Sequence, residues 1–136
     1  ARAGSMKNIM FKGGGRAFGP HPRDYTQKLN KKVKELARKS ALSQKAAGDG
    51  IVVIEDFNIN TPKTKEFAGI LKSLKMHQMK SLFVTPEYNE TVHLSSRNVP
   101  HAALQIAKDL NTYDILNCKK LVLTESSIQK IAETLS

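Results

Sequence analysis

The chain of 136 residues has a single cysteine and no tryptophan, and aromatic residues make up only 6% of it. One thiol, Cys118, cannot close an internal disulfide, so no covalent framework substitutes for a core. The longest uninterrupted apolar runs, Ile51–Ile54 and Leu121–Leu123, fall far short of the roughly 20 residues that a membrane-spanning helix needs. No basic-then-apolar leader opens the chain, which together with the lone thiol points to the reducing cytoplasm. The opening Ala1-Arg2-Ala3-Gly4-Ser5 carries no initiator methionine and reads as a fragment of a longer polypeptide.

Carboxylates are scarce where cations are dense. Residues 1–47 hold 12 Lys/Arg against 2 Asp/Glu, whereas residues 48–136 hold 10 of each, so the net charge of +10 resides in the first third. Clustered Lys and Arg gain most by releasing counterions from phosphates, which makes nucleic acid the favoured partner. An anionic membrane or an acidic protein fits less well, and a solvated basic tail is the plain alternative. At this length one domain is expected, and the Ile, Val and Leu content from Gly48 onward suffices for a modest core.

Residues 1–26 hold five of the eight glycines and two of the five prolines, with neither helical nor alternating apolar spacing. Such backbone buries too little to order itself, so this segment reads as an extended basic arm shaped by a partner. Phe11, Phe18 and Tyr25 are interleaved with Lys7, Lys12, Arg16 and Arg23. These rings either stack on bases or plug into the body.

The first helix is expected from Asn30, an N-cap residue, to Ala47, where Gly48-Asp49-Gly50 stops it. On a helical wheel Leu29, Val33, Leu36, Ala37, Ser40 and Ala41 fall within about 140° of arc, the width of a core-facing stripe. The remaining side carries Lys28, Lys31, Lys32, Lys34, Arg38, Lys39 and Lys45, interrupted only by Glu35. A solvated helix face mixes both signs, so this face is expected to turn toward phosphate.

Beyond it, strand and helix alternate. Ile51–Ile54 is a β-branched run suited to a buried parallel strand, and Thr61-Pro62 reads as a cap with proline at the first helical position. The helix that follows buries Phe67, Ile70, Leu71 and Leu74. Ser81–Thr85 is a second strand, Asn89–Ser96 a short helix and Lys120–Leu123 a further strand, while Ala102–Lys108, where Pro100 and small residues also allow a helix, is read as a third strand from the α/β rhythm. Thr124 then caps a final helix with Ile128, Ile131 and Leu135 on one face. The fold class is therefore α/β: a short parallel sheet flanked by helices, residues 27–136, preceded by the arm, residues 1–26.

Catalytic and cofactor motifs are weak. Gly13-Gly14-Gly15-Arg16 lacks phosphate-loop spacing and follows no strand, and Gly48-Asp49-Gly50 precedes a strand where a dinucleotide fingerprint must follow one. The histidines at 21, 77, 93 and 101 show no metal-ligand spacing, so no metal and no cofactor is expected. Cys118 precedes Lys119 and Lys120, which lower a thiol pKa, but packing is the simpler role. Glu55-Asp56 at a strand end reads as a solvated terminus. No catalytic set can be assembled, so an enzyme with a small-molecule substrate is not expected.

The arm's letters Gly13-Gly14-Gly15, Phe18-Gly19-Pro20, Pro22-Arg23, Tyr25, Lys28-Leu29 and Lys31-Lys32 resemble the bacterial large-subunit ribosomal protein L-four family. The likeness continues through Pro62-Lys63-Thr64-Lys65, Arg97-Asn98, Leu110–Asp114 and Leu121–Thr124. That resemblance implies an α/β domain with a long arm that threads rRNA toward the peptide exit tunnel, and a structural, non-catalytic role in the cytoplasmic ribosome. It implies large-subunit rRNA of the 23S type and neighbouring ribosomal proteins as partners, and no membrane. Phosphate contact falls to Arg2, Lys7, Lys12, Arg16, Arg23, Lys28, Lys31 and Lys32, with Phe18, Tyr25, Arg38 and Lys39 completing the RNA-facing set. Gly13, Gly14 and Gly15 would allow close backbone approach. Against the family pattern, the first strand, the ascending arm and the loop tip are absent, which leaves a sheet edge uncovered. An extraribosomal RNA-binding regulator of its own operon, and a small α/β enzyme with a basic entry arm, are the competing readings.

Overall fold

Four short apolar strands run in one direction in the computed structural model, which describes residues 4–135. They are β1 (Ile51–Ile54), β2 (Ser81–Thr85), β3 (Ala102–Ile106) and β4 (Lys120–Thr124), all paired in parallel in the order β1-β4-β2-β3. Helices α1 (Lys31–Ala47), α2 (Thr64–Ser73), α3 (Glu90–Ser96), α4 (Thr112–Asn117) and α5 (Glu125–Leu135) connect and flank them, with a 3₁₀ turn at Ala107–Asp109. The α/β class expected from the strand-helix rhythm is the one observed.

Alternation along the strands divides the core into two layers. Leu82, Val84, Leu121 and Leu123 face one side, where they meet Ala41 of α1, Leu110, Ile115 of α4 and Ile131 of α5. Phe83 and Val122 face the other, against Phe67 and Leu71 of α2 and Val92 of α3. All five residues of β2 are buried, as befits a strand with neighbours on both edges and helices on both faces. Strand β1 is an edge, and its Val53 is exposed.

Three local expectations are corrected. Helix α1 does span 31–47 with Asn30 at its N-cap position, but it does not dock by the expected stripe. Leu29, Val33, Leu36, Ala37 and Ser40 are exposed and only Ala41 is buried, while Arg38, Leu42 and Lys45, roughly opposite on the helix, are half-buried. The long aliphatic stems of Arg38 and Lys45 cover apolar surface, the Lys45 ammonium donating to the Cys118 carbonyl, and small Ala41 permits close approach. Only the second half of α1 therefore packs, and its first two turns stand clear of the core.

Helix α2 begins at Thr64, with Lys63 at the cap position and no side-chain cap, so Thr61-Pro62 belongs to the preceding loop. Buried Ile59 anchors that loop, and its carbonyl accepts from Thr91 Oγ1 at 2.7 Å. Thr124 is the last residue of β4, and its hydroxyl donates across to the Val84 carbonyl at 3.3 Å. Two elements were not anticipated. The segment read as strand to Lys108 turns at Ala107, and α4 follows, started by Asn111, whose side chain accepts from the Asp114 amide at 2.8 Å.

Candidate nucleic-acid interface

Residues 4–30 contain no helix or strand, yet part of the arm is locally folded. Three successive turns, Asn8 N to Ser5 O, Phe11 N to Asn8 O and Gly14 N to Phe11 O, are closed by Gly15 N donating to Lys7 O at 2.8 Å. The glycine run acts inside this loop. Gly13 holds a left-handed φ of +83°, and a Cβ on Gly14 would overlap the Asn8 carbonyl oxygen. The close backbone approach expected of Gly13–Gly15 thus occurs between two parts of the arm.

The loop displays Lys7 and Lys12 with the exposed side chains of Met6, Ile9, Met10 and Phe11. Arg16 lies beside Gly19, and Phe18, with φ 49°, is fully exposed. Neither Phe18 nor Tyr25 plugs into the body. The Arg23 guanidinium lies over the Tyr25 ring, 4.3 Å from its centroid, a cation–π pair. Asp24 between them is engaged by Thr26 through its hydroxyl and its amide, which holds the carboxyl below its ordinary value.

Lys28, Lys31, Lys32 and Lys39 are exposed on or just before α1. Lys31 meets Glu35 at 3.6 Å, one turn along the helix. Arg38 differs from these, being half-buried among Leu42, Ala107, Leu110 and Ile131. Arg2 lies outside the described residues. The arrangement therefore joins a basic looped arm to a basic helix whose first turns project, and Glu35 is the one acid that pairs with these cations among the described residues.

A wide hollow lies elsewhere, at the carboxyl ends of the strands, where parallel sheets commonly bind ligands. It measures about 610 Å³ and is rimmed by Asp56, Glu87, Glu90 and Lys130. Two of its carboxylates, Asp56 and Glu87, are held below the ordinary carboxylate range. The Ser126 hydroxyl donates to Asp56 and lowers its pKa, and Lys130, 2.7 Å from Glu87, lowers that of Glu87. Among the described residues no three His, Cys, Asp or Glu side chains are placed to hold a metal ion. Cys118 is buried, and burial raises its thiol pKa against the opposing charge of Lys45.

Sequence reading missed one concentration of cations. Lys80, Lys119 and Lys120, dispersed along the neutral part of the chain, come together near Lys45 at the amino ends of the strands. The sequence signal was present, since each of the three stands at or just before the start of a strand.

The profile of the Ribosomal protein L4/L1 family matches residues 1–134. The large ribosomal subunit protein uL4 of Flavobacterium johnsoniae is 54% identical over 136 residues, covering 100% of this chain and 65% of its own length. That of Parabacteroides distasonis is 55% identical over 133 residues, 98% of this chain and 64% of its own. For Bacteroides fragilis the identity is 56% over 131 residues, with 96% and 63% covered. The chain thus spans about 65% of the length of the curated relatives it matches. By a match running through both the arm and the sheet, the chain belongs to the Ribosomal protein L4/L1 family.

Proposed function

We propose that this chain is part of a structural constituent of the large ribosomal subunit. It binds large-subunit rRNA of the 23S type through the arm and the projecting face of α1, with the arm directed toward the peptide exit tunnel. The observation that carries this reading is the looped arm and helix, rich in Lys and Arg, with a single paired acid among the described residues. Folded RNA is recognised through phosphate, 2′-hydroxyls, shape and splayed bases, which calls for such cations with a few free rings. In this reading Lys7, Lys12, Arg16, Arg23, Lys28, Lys31, Lys32 and Lys39 contact phosphate. Phe18 and the Arg23–Tyr25 unit offer stacking surfaces. Neighbouring ribosomal proteins in the cytoplasmic particle are the other partners.

The test is binding of this chain to purified large-subunit rRNA across a salt series. If six to ten phosphates are engaged, affinity falls by about 10³ to 10⁵ between 50 and 200 mM salt. A variant with Arg16, Arg23, Lys31 and Lys32 changed to alanine should show a shallower slope. Binding that is absent, or equal in the variant, would refute the reading.

A further inference from the structure

The 10 cations and 10 acids of residues 48–136 balance in number but not in position. Because all four strands are parallel, every residue that precedes a strand lies at one end of the sheet and every residue that follows one lies at the other. Acids follow the strands: Glu55 and Asp56 after β1, Glu87 after β2, Asp109 after β3 and Glu125 after β4. Lysines gather before them: Lys80 before β2 and Lys119 with Lys120 at the start of β4, joined by Lys45 at the end of α1, against Asp49 before β1 and Asp114, which borders the same hollow as Lys80. The acids that follow the strands and the lysines that precede them are thus concentrated at opposite ends of the sheet.

The four lysines are close together. The amides of Lys119 and Lys120 both donate to the Lys80 carbonyl, at 2.7 and 3.3 Å. Lys45 and Lys119 border one hollow of about 250 Å³, and Lys45 lies against Gly50, where a Cβ would come within 3.1 Å of its stem. Three of the ammonium groups are held by neutral oxygens. Lys45 donates to the Cys118 carbonyl, Lys120 to the Asp49 carbonyl and Lys80 to Asn117 Oδ1 at 3.4 Å. Among the described residues none of the four is paired with a carboxylate. Carbonyl anchoring fixes where these cations sit without cancelling their charge, which lowers the ordering cost of meeting an anion. A lysine on a helix C-terminal carbonyl is also an ordinary cap, and that accounts for Lys45 alone. It does not account for four lysines from three segments at one sheet end.

We infer that the amino-end edge of the sheet, formed by Lys45, Lys80, Lys119 and Lys120, is a second phosphate-binding surface for RNA, separate from the arm. This rests on the rRNA-binding reading. RNA is favoured over an acidic protein because Lys45 makes the patch continuous with basic α1, so one phosphodiester backbone can follow both. Lys80 and Lys119 stand at the starts of neighbouring strands β2 and β4, within reach of one stretch of phosphodiester backbone.

The experiment is the same salt series on the 136-residue chain carrying Lys80→Glu and Lys119→Glu, whose side chains are both exposed. A control carries Lys63→Glu and Lys65→Glu, on the loop and helix start after β1, with thermal unfolding measured for all three. The expected result is a slope of log affinity against log salt flattened by about 2 for the patch variant and unchanged for the control. Equal slopes in wild type and patch variant would overturn this inference while leaving the arm reading intact, as would equal flattening in the control. No binding by the wild type would overturn both. A patch variant that unfolds is replaced by Lys80→Gln with Lys119→Gln, read in the same way.

Discussion

The rings of Phe67 and Phe83 meet with centroids 5.1 Å apart and planes inclined by 60°, both fully buried, joining α2 to the central strand β2. This tilted contact is the centre of the layer beneath α2 and α3. Phe83→Ala should cost about 3–5 kcal/mol through lost burial and the cavity left behind. Chemical denaturation followed by circular dichroism measures it, and a loss under about 1 kcal/mol would mean that the layer is not organised around this pair.

Gly14→Ala acts on the arm alone. A methyl there overlaps the Asn8 carbonyl, so the loop must open and the Gly15–Lys7 hydrogen bond break. Amide exchange by NMR should show lost protection at Gly15, while the melting temperature of the body stays put. Retained protection would show that the loop tolerates a side chain.

Helix α3 is short and starts at Asn89, whose Oδ1 accepts from the Thr91 amide at 3.1 Å and the Val92 amide at 3.4 Å. Asn89→Ala removes the cap and should lower stability by about 1 kcal/mol, read as a shift in denaturation midpoint. Asn89→Asp, which keeps the acceptor, should recover most of it.

Asp56 links acidity to stability. The Ser126 hydroxyl holds its folded-state pKa below the ordinary value, so the folded protein binds this proton less readily than the unfolded chain. Its contribution is present above the unfolded pKa and is lost as pH falls through the folded one. Ser126→Ala should move the Asp56 titration upward, as NMR of its carboxyl carbon would record, and a titration left in place would contradict the assignment.

Cys118 should be a slow nucleophile. Burial raises its thiol pKa, with Lys45 opposing, and its Sγ donates to the Ile115 carbonyl at 3.2 Å. At neutral pH, alkylation in the native state should lag that in denaturant by orders of magnitude. Comparable rates would place the thiol at the surface.

The strands were legible in the sequence because each is a compact apolar run, buried on both faces in β2 and nearly so in β4. Helix α1 was legible in extent but not in orientation. A wheel ranks faces by side-chain type, yet the docked face here sets Ala41 and Leu42 between the stems of Arg38 and Lys45, whose charged ends count as polar on any such scale. Helix α4 escaped notice because it is a single turn and a half whose signal lies in Asn111 and Asp114, not in apolar spacing. The arm's cations could be named from composition and resemblance, whereas the local use of Gly14 and the pairing of Arg23 with Tyr25 depend on backbone geometry. The lysine edge was missed because net charge sums over a chain, and the signal emerges only when each lysine is read against the start of a parallel strand.

The strand order also sets a timetable. Among the described residues strand β1 has β4 as its one neighbour, with Ile51 in register against Leu121, so this pairing cannot form until β4 has been made. Arm, basic helix and β1 emerge early and wait, whereas β2 and β3 pair with little intervening sequence. Long-range parallel pairing of this kind is slow to close. The cationic third of the molecule is therefore available to a polyanion before the sheet behind it is complete, and capture of the arm can precede the last step of folding.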